Sequence, residues 1–198
     1  MKKIILLAAA IMMATVNVNA QDGYEDTKHE VAISAGGMSN SQWIDVLEEI
    51  TTVIVGATYK NEHFFGPISA EYFYHAKNWL GVGAILTYGQ SSQDMYLAGT
   101  KDGKATNTYT TLMPAAKFNW LRKKYFGMYS KVAVGATLRH ESIDSDDPQE
   151  EDYSNSDVHF NWQVSALGIE AGSPRIRGFV ELGVGEQGMG LIGLRYKF

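Results

Sequence analysis

Five histidines are the residues of this sequence best suited to bind a metal ion or to transfer a proton near neutral pH. They stand far apart, at His29, His63, His75, His140 and His159, and none belongs to an HExxH or HxH pattern. The sequence contains no cysteine, which excludes zinc–thiolate sites, thiol catalysis and disulfides. We therefore predict neither a metal site nor a bound cofactor.

One group of neighbours has the residue types of a hydrolase, namely His140, Glu141 and Ser142. A histidine can activate a serine hydroxyl, and a carboxylate can orient that histidine. Successive side chains of a strand point to opposite faces, however, so these three do not converge if the segment is extended. Enzymatic catalysis is therefore an alternative hypothesis, and we predict no catalytic residues.

The acidic stretch 144–152 reads DSDDPQEED. Clustered carboxylates suit calcium, magnesium or a cationic partner. The stretch lacks the spacing of an EF-hand, and a run of like charges is typical of a solvated loop, which is the interpretation we favour. The glycine-rich segment 183–190 is not followed by a helical pattern, so it predicts a tight hairpin and not a phosphate-binding loop.

The elements that hold these residues are predicted from composition and alternation. Of the 198 residues, 45% are hydrophobic and 12% are aromatic. The sequence contains 20 glycines, and its net charge is -5. A negative charge is not typical of nucleic-acid binders, and the abundance of aromatic residues favours β-structure. Apolar residues recur at every second position, as in Leu80, Val82, Ala84, Leu86 and Tyr88, which is the period of a strand.

The alternation predicts an all-β fold, an eight-stranded antiparallel up-and-down transmembrane β-barrel. The strands are expected at about 29–38, 66–76, 79–92, 105–120, 126–141, 157–171, 175–186 and 188–198. Segment 41–60 has both helical and strand character. Because bacterial barrels have even strand numbers, we predict a short helix there, in the first external loop. The alternation changes phase near 166–170, which predicts a β-bulge.

A soluble barrel, such as a lipid carrier, has the same alternation with its apolar face inward. Connections of alternating length favour the membrane barrel, with short ones at 76–78, 122–125 and 172–174 and long ones at 93–105 and 142–156. Aromatic residues at strand ends predict an interfacial girdle of Trp79, Trp120, Tyr125 and Phe126.

The polar face of the predicted strands combines glycine with full charges. We predict that these charges form a lumen network of Glu71, Lys117, Lys131, Arg139, Arg177, Glu181 and Arg195. An eight-stranded barrel is only wide enough for side chains to fill its interior. A general porin is therefore not expected, and a narrow channel stays an alternative.

The first twenty residues predict a secretory signal peptide. Lys2 and Lys3 precede an apolar run over 4–14, and small residues end it at Ala20. Eleven residues span about 16 Å as a helix, which is too short for a bilayer core of roughly 30 Å. We expect export by the Sec route, cleavage near Ala20, and a barrel domain over 21–198 with strands from about residue 29.

The end of the sequence resembles the β-signal of outer-membrane proteins, with Ile192, Leu194, Tyr196 and Phe198 at every second position. The segment 66–84, GPISAEYFYHAKNWLGVGA, is similar to a hairpin of the small Bacteroides-type outer-membrane β-barrel family, which is OmpA/OmpX-like. The resemblance implies a monomeric eight-stranded barrel in the outer membrane of a Gram-negative bacterium, often without an assigned activity. It also implies recognition by the barrel-assembly machinery. We expect no peptidoglycan-binding role, which belongs to longer OmpA-type proteins with an added periplasmic domain.

The function expected from these features is structural, adhesive or surface-interacting, carried by external loops on a membrane barrel. The expected partners are outer-membrane lipid and lipopolysaccharide, with no nucleic acid and no cofactor. The alternatives are a lipid-modifying outer-membrane enzyme, such as a lipid A deacylase acting through serine, histidine and glutamate, and a narrow channel or soluble lipid carrier.

Overall fold

The computed structural model describes residues 27–41, 57–97, 100–145 and 153–198. These residues form eight strands: β1 (His29–Gly37), β2 (Ala57–Lys77), β3 (Leu80–Leu97), β4 (Thr100–Arg122), β5 (Phe126–Ser145), β6 (Tyr153–Gly172), β7 (Ile176–Gly185) and β8 (Gly190–Lys197). Each strand pairs antiparallel with its neighbour in the sequence, and the ring is closed. The predicted eight-stranded up-and-down barrel is confirmed.

Pairing of the first and last strands closes the barrel. Strand β1 pairs with β8 from Glu30 opposite Lys197 to Gly37 opposite Gly190. Beyond the last pair, the backbone N–H groups of His29 and Phe198 each donate to the other residue's carbonyl oxygen at 2.9 Å. Because the ring is closed, each of the eight strands has a paired neighbour on both sides and none is an edge strand.

The two ends of the barrel differ in their connections. At one end, which we call the turn end, strands are joined by short turns at 78–79, 123–125 and 173–175. At the other, the loop end, they are joined through 38–56, 98–99, 146–152 and 186–189. The connection at 98–99 corrects the long loop predicted over 93–105, and β5 and β6 likewise extend into the loop predicted over 142–156. Apolar alternation could not reveal these extensions of the strands, because their residues are mostly polar. Backbone pairing does not require an apolar face.

Strand β2 corrects a further boundary. It begins at Ala57, nine residues before the predicted start, and residues 57–60 therefore belong to a strand and not to the first external loop, in which we expected segment 41–60 with its short helix. Only Asn40 and Ser41 of the first loop are described as helical, and 42–56 lie outside the described residues. Among the residues that the structure describes, no helix is long and apolar enough to cross a bilayer.

The predicted irregularity near 166–170 is present in β6. The pairing with β7 shifts between Ser165 and Leu167, and the pairing with β5 shifts over the same residues. Before the shift, Gln163 and Ser165 face the interior, and after it Glu170 does so. A bulge of one residue inverts the faces of everything that follows, and here it brings Glu170 inside the barrel.

Polar and apolar residues have an inside-out distribution, with polar residues in the interior of the barrel and apolar residues on its outer surface. The interior contains a small apolar cluster of Phe73, Ile85, Met113, Ala115 and Ala133, but most of the other buried side chains are polar or charged. The outer surface is apolar along every strand, and its most exposed side chains include Val158, Phe160 and Ile192, at 69%, 70% and 66%. Strand alternation thus separates a polar lumen from an apolar wall.

The hairpin between β7 and β8 requires glycine at one position. Gly188 has φ +104, and an added Cβ would lie 2.4 Å from the carbonyl oxygen of Gly37. We expect Gly188→Ala to destabilise the barrel by about 1–3 kcal/mol because the side chain adds both strain and a clash. Gly190→Ala is the matched control, since nothing lies within 4 Å of its Cβ. Urea-unfolding midpoints followed by tryptophan fluorescence test this, and equal midpoints for the two variants would contradict it.

Candidate functional site

The centre of the lumen is occupied by Arg195 of β8, which is fully buried. Its Nη1 lies 2.6 Å from Glu170 Oε2, its Nε lies 3.4 Å from Glu30 Oε1, and its Nη2 donates to the Tyr129 hydroxyl at 3.1 Å. The guanidinium also stands 4.7 Å and 4.4 Å from the ring centres of Tyr129 and Phe179. Arginine suits this position because its planar group can pair with carboxylates along its edge and stack on aromatic faces.

Glu170, which the bulge turns inward, collects the most cations. Its carboxylate contacts Arg195, Arg177 at 2.7 Å, Lys117 at 3.6 Å and Lys197. These partners come from β8, β7 and β4, so one carboxylate ties together strands on two sides of the ring. Charge-assisted hydrogen bonds of this kind are stronger than neutral ones.

A second carboxylate, that of Glu30, has partners of its own. Glu30 Oε1 accepts from Lys117 Nζ at 2.7 Å, and its Oε2 lies 3.0 Å from His75 Nε2. Glu30 belongs to β1, His75 to β2 and Lys117 to β4. The contacts therefore stabilise the wall on the side where the first strand joins the barrel.

Lys131 of β5 connects the remaining two carboxylates. Its Nζ contacts Glu71 Oε1 at 2.5 Å and Glu181 Oε2 at 2.9 Å. Glu181 also accepts from the Tyr129 hydroxyl at 2.6 Å, and Glu71 accepts from Gln187 Nε2 at 2.8 Å. Buried charges are tolerated when each has a counter-charge and hydrogen bonds, and this cluster meets both conditions.

A layer of hydrogen-bonding side chains lies between this cluster and the loop end, around the carboxylate of Glu186 in the β7–β8 hairpin. Glu186 accepts four hydrogen bonds: from Ser41 Oγ at 2.7 Å, the Ser41 N–H at 3.2 Å, Thr111 Oγ1 at 3.2 Å and Asn161 Nδ2 at 2.8 Å. Thr111 and Thr137 share a hydrogen bond of 2.6 Å beside it. The hairpin and the start of the first loop are therefore bound to each other and to the wall.

Gln187, the next residue of the hairpin, joins the two layers. Its backbone N–H donates to Gln163 Oε1 at 2.8 Å, while its side chain reaches Glu71. Gln163 Nε2 in turn donates to the Gly188 carbonyl at 3.2 Å. Glu186 and Gln187 are both almost inaccessible to solvent. The hairpin thus folds into the lumen and does not project from the rim.

The structure brings six of the seven residues predicted for the lumen network into the charge cluster, namely Glu71, Lys117, Lys131, Arg177, Glu181 and Arg195. Arg139 stays a predicted member of the network. It shares the inward face of β5 with Lys131 but stands eight residues nearer the loop end, beyond Thr137, and is half-exposed.

Sequence reasoning missed five members of these layers: Glu30, Glu170, Glu186, Gln187 and Lys197. Alternation could have found Glu30, which shares a face with Ala32 and Ser34, and Lys197, which shares one with Arg195. Glu170 required the size of the bulge to be known. Nothing in the local pattern indicates that a hairpin residue such as Glu186 folds inward.

The residues predicted for the barrel-assembly signal all face outward, with Ile192, Leu194, Tyr196 and Phe198 between 42% and 66% exposed. Phe198 stacks on His29 at 5.5 Å and on Tyr196 at 5.7 Å. These rings surround the seam between β1 and β8 at the turn end.

Of the predicted girdle, Trp79, Tyr125 and Phe126 are exposed at the turn end, where Trp79 also stacks on Phe118. Trp120 differs, because it is half-buried at a register shift between β4 and β5. Further outward-facing rings at this end, which the prediction did not include, are Tyr72, Tyr74, Tyr196 and Phe198.

The hydrolase-like residues do not converge. His140 Nδ1 forms a 2.9 Å hydrogen bond with Ser156 Oγ of the paired strand, on the outside of the barrel. Glu141 takes the opposite, inward face, and no carboxylate of the described residues contacts His140. Within the same residues no three His, Asp or Glu side chains are placed to hold a metal ion. Most of the acidic stretch, 146–152, lies outside the described residues.

No family model and no curated protein sequence matches this chain. Among solved structures, the chain is similar to the crystal structure of Ail, the attachment invasion locus protein of Yersinia pestis, in complex with the heparin analogue sucrose octasulfate. That similarity has a TM-score of 0.49 at 14% identity and covers 86% of this chain and 99% of that one. A second crystal structure of Ail gives a TM-score of 0.45 at 14% identity, covering 88% and 100%.

The central position of Arg195 leads to a stability prediction. Arg195→Met leaves Glu170 and Glu30 with one cation fewer in a buried site, and we expect a loss of about 3–5 kcal/mol in the free energy of unfolding. Arg175→Met makes the same replacement at an exposed turn and is expected to change it by less than about 0.5 kcal/mol. Urea titration of both folded variants in detergent micelles checks this. An Arg195→Met barrel as stable as the wild type would show that the cluster does not support the fold.

Proposed function

We propose that this chain is an integral outer-membrane β-barrel whose lumen is closed by side chains and whose external loops have a structural, adhesive or surface-interacting role. The observation that carries the proposal is the inside-out distribution of residues. Large apolar side chains are exposed on all eight strands, while glutamate, lysine and arginine side chains are buried in the lumen. Water-soluble proteins rarely expose so continuous an apolar surface, whereas a lipid-facing wall requires it.

The outer membrane is favoured over other bilayers by features of the sequence. Residues 1–20 have the pattern of a cleaved signal peptide, and Ile192 to Phe198 have the alternation of the β-signal. The likeness of 66–84 to the small Bacteroides-type family supports membership of that family, and the β-signal supports insertion by the barrel-assembly machinery. The turn end then faces the periplasm and the loop end faces outside, since short turns are periplasmic in such barrels.

Closure of the lumen is supported by the two buried layers. The charge cluster spans the ring from β1 to β8, and the β7–β8 hairpin fills the space beyond it with Glu186 and Gln187. An eight-stranded ring leaves room only for side chains. The role therefore lies with the external surface and loops, and their partners include outer-membrane lipid and lipopolysaccharide.

Catalysis is not part of the proposal. A serine–histidine pair such as Ser156 and His140 needs a group to orient the imidazole and donors to stabilise an oxyanion. No such orienting carboxylate contacts His140 among the described residues.

Membrane residence predicts how the protein behaves on extraction. We expect the folded barrel to require detergent for recovery and to migrate faster in a gel when unheated than when boiled, because the hydrogen-bonded ring resists the denaturing detergent until it is heated. The comparison of unheated and boiled samples of the membrane fraction measures this. Recovery from the periplasm without detergent would instead favour the soluble lipid carrier.

Closure of the lumen predicts the electrical behaviour of the monomer. In planar bilayers we expect the purified barrel to show no large, stable conductance, because the charged side chains and the inward hairpin occupy the pore. An open porin inserted under the same conditions is the positive control, and the gel shift of the same preparation verifies folding. Stable channels from folded monomer would contradict closure and favour the narrow channel.

A further inference from the structure

The turn end carries positive charge without negative charge in its turns. The segments 76–79, 123–125 and 173–175 contain four basic residues and no acidic one. These residues are Lys77, Lys123, Lys124 and Arg175, and all four are exposed. The chain as a whole is acidic, with a net charge of -5, so these three turns have the opposite sign from the chain average. A cationic rim at the level of a membrane interface attracts anionic lipid headgroups.

Two of these turns are held side by side. Arg177 is anchored in the lumen by Glu170, and its Nη2 donates to the backbone carbonyls of Lys123 and Lys124 at 2.8 Å and 3.0 Å. The Gly172 N–H donates to the Tyr125 carbonyl at 3.0 Å. The interior network thus positions the dibasic turn next to the 173–175 turn. Three basic residues are concentrated on this side of the rim, and Lys77 extends from the turn between β2 and β3.

The wall beside this pair of turns contains an apolar groove. It has a volume of about 490 Å³ and runs across β6, β7 and β8. Ala171 and Gly178 are cross-strand partners at its low point, and the only atom near an added Cβ on Gly178 is a carbonyl oxygen at 3.9 Å. Larger side chains border it, including Ile169, Val180 and Leu194.

The groove and the basic turns are contiguous. The Ala171–Gly178 pair follows directly on the Gly172–Arg177 pair, which adjoins the 173–175 turn. A ligand that lies in the groove with its polar end at the rim therefore has its charge beside Arg175. Aromatic side chains stand at the same level, with Lys124 Nζ 5.5 Å from the ring centre of Tyr125. A molecule with an apolar body in the groove and an anionic head at the rim has the chemistry of a phospholipid.

We propose that this face, formed by Lys123, Lys124, Arg175 and the groove at Gly178, is a binding site for an anionic phospholipid. An acyl chain lies along the groove, and the phosphate-bearing headgroup contacts the basic turns. The site rests on the proposed membrane residence, which places the turn end at the phospholipid leaflet that faces the periplasm. The site differs from general solvation of the wall by lipid because it lies on one side of the ring, at β6, β7 and β8.

Competition between two lipids tests the site. The folded wild-type barrel is incorporated into vesicles of phosphatidylcholine with and without phosphatidylglycerol, extracted gently, and examined by native mass spectrometry for retained lipid. We expect preferential retention of phosphatidylglycerol. Lys124→Gln/Arg175→Gln should lower the preference by about fivefold for each charge removed, which corresponds to ~1 kcal/mol per basic residue near an anionic surface.

Two further variants separate a site from a general charge effect. Lys77→Gln/Lys104→Gln removes the same charge from exposed residues away from the groove, one at the end of β2 and one on β4 toward the loop end, and should retain the wild-type preference. Gly178→Leu keeps every charge but fills the groove, and should lower retention. The site is overturned if the Lys77/Lys104 variant loses as much preference as the Lys124/Arg175 variant, or if Gly178→Leu binds like the wild type.

Failure of the membrane proposal gives a different result in the same experiment. The gel shift between unheated and boiled samples reports insertion in phosphatidylcholine vesicles whether or not the anionic lipid is present. A barrel that inserts there without preferring phosphatidylglycerol contradicts the lipid site alone. A chain that does not insert in either vesicle contradicts membrane residence, and the site with it.

Discussion

A charge enclosed by the ring of strands must find a counter-charge or several hydrogen-bond donors inside the same ring, because neither the apolar wall nor bulk water can solvate it. The rest of this structure depends on that constraint. Among the described residues the cluster contains four carboxylates, of Glu30, Glu71, Glu170 and Glu181, and five cations, of Lys117, Lys131, Arg177, Arg195 and Lys197. Every one of these side chains contacts at least one opposite charge, and Arg195 lies within 4.0 Å of all four carboxylates.

The irregularities of the chain lie where this constraint requires them. Without the bulge in β6, Glu170 would face outward and its cations would lose the carboxylate that joins them. The β7–β8 hairpin is a second irregularity, since Gly188 adopts a positive φ and lets Glu186 and Gln187 enter the lumen. Local distortion is thus used to place polar groups inside, which is a recurrent role of bulges and glycine turns.

Interior and exterior are connected through Arg177. Its Nη1 pairs with Glu170 inside the barrel, and its Nη2 holds the carbonyls of the dibasic turn at the rim. The stability of the lumen and the shape of the basic surface are therefore linked by one guanidinium. A planar group with several donors can serve both sides at once, which an ammonium cannot do with the same geometry.

The sequence by itself determined the number of strands, the face that most residues take, and most of the charges that lie inside, because alternation is a local property of an extended chain. It predicted the change of phase near 166–170 but not the inward position of Glu170. Only the tertiary structure decided which charges meet and that Glu186 is buried. These depend on register between strands and on how a closed ring brings β1 against β8. Contacts between residues more than a hundred positions apart leave no periodic signal in the sequence, whereas the strands that carry them do.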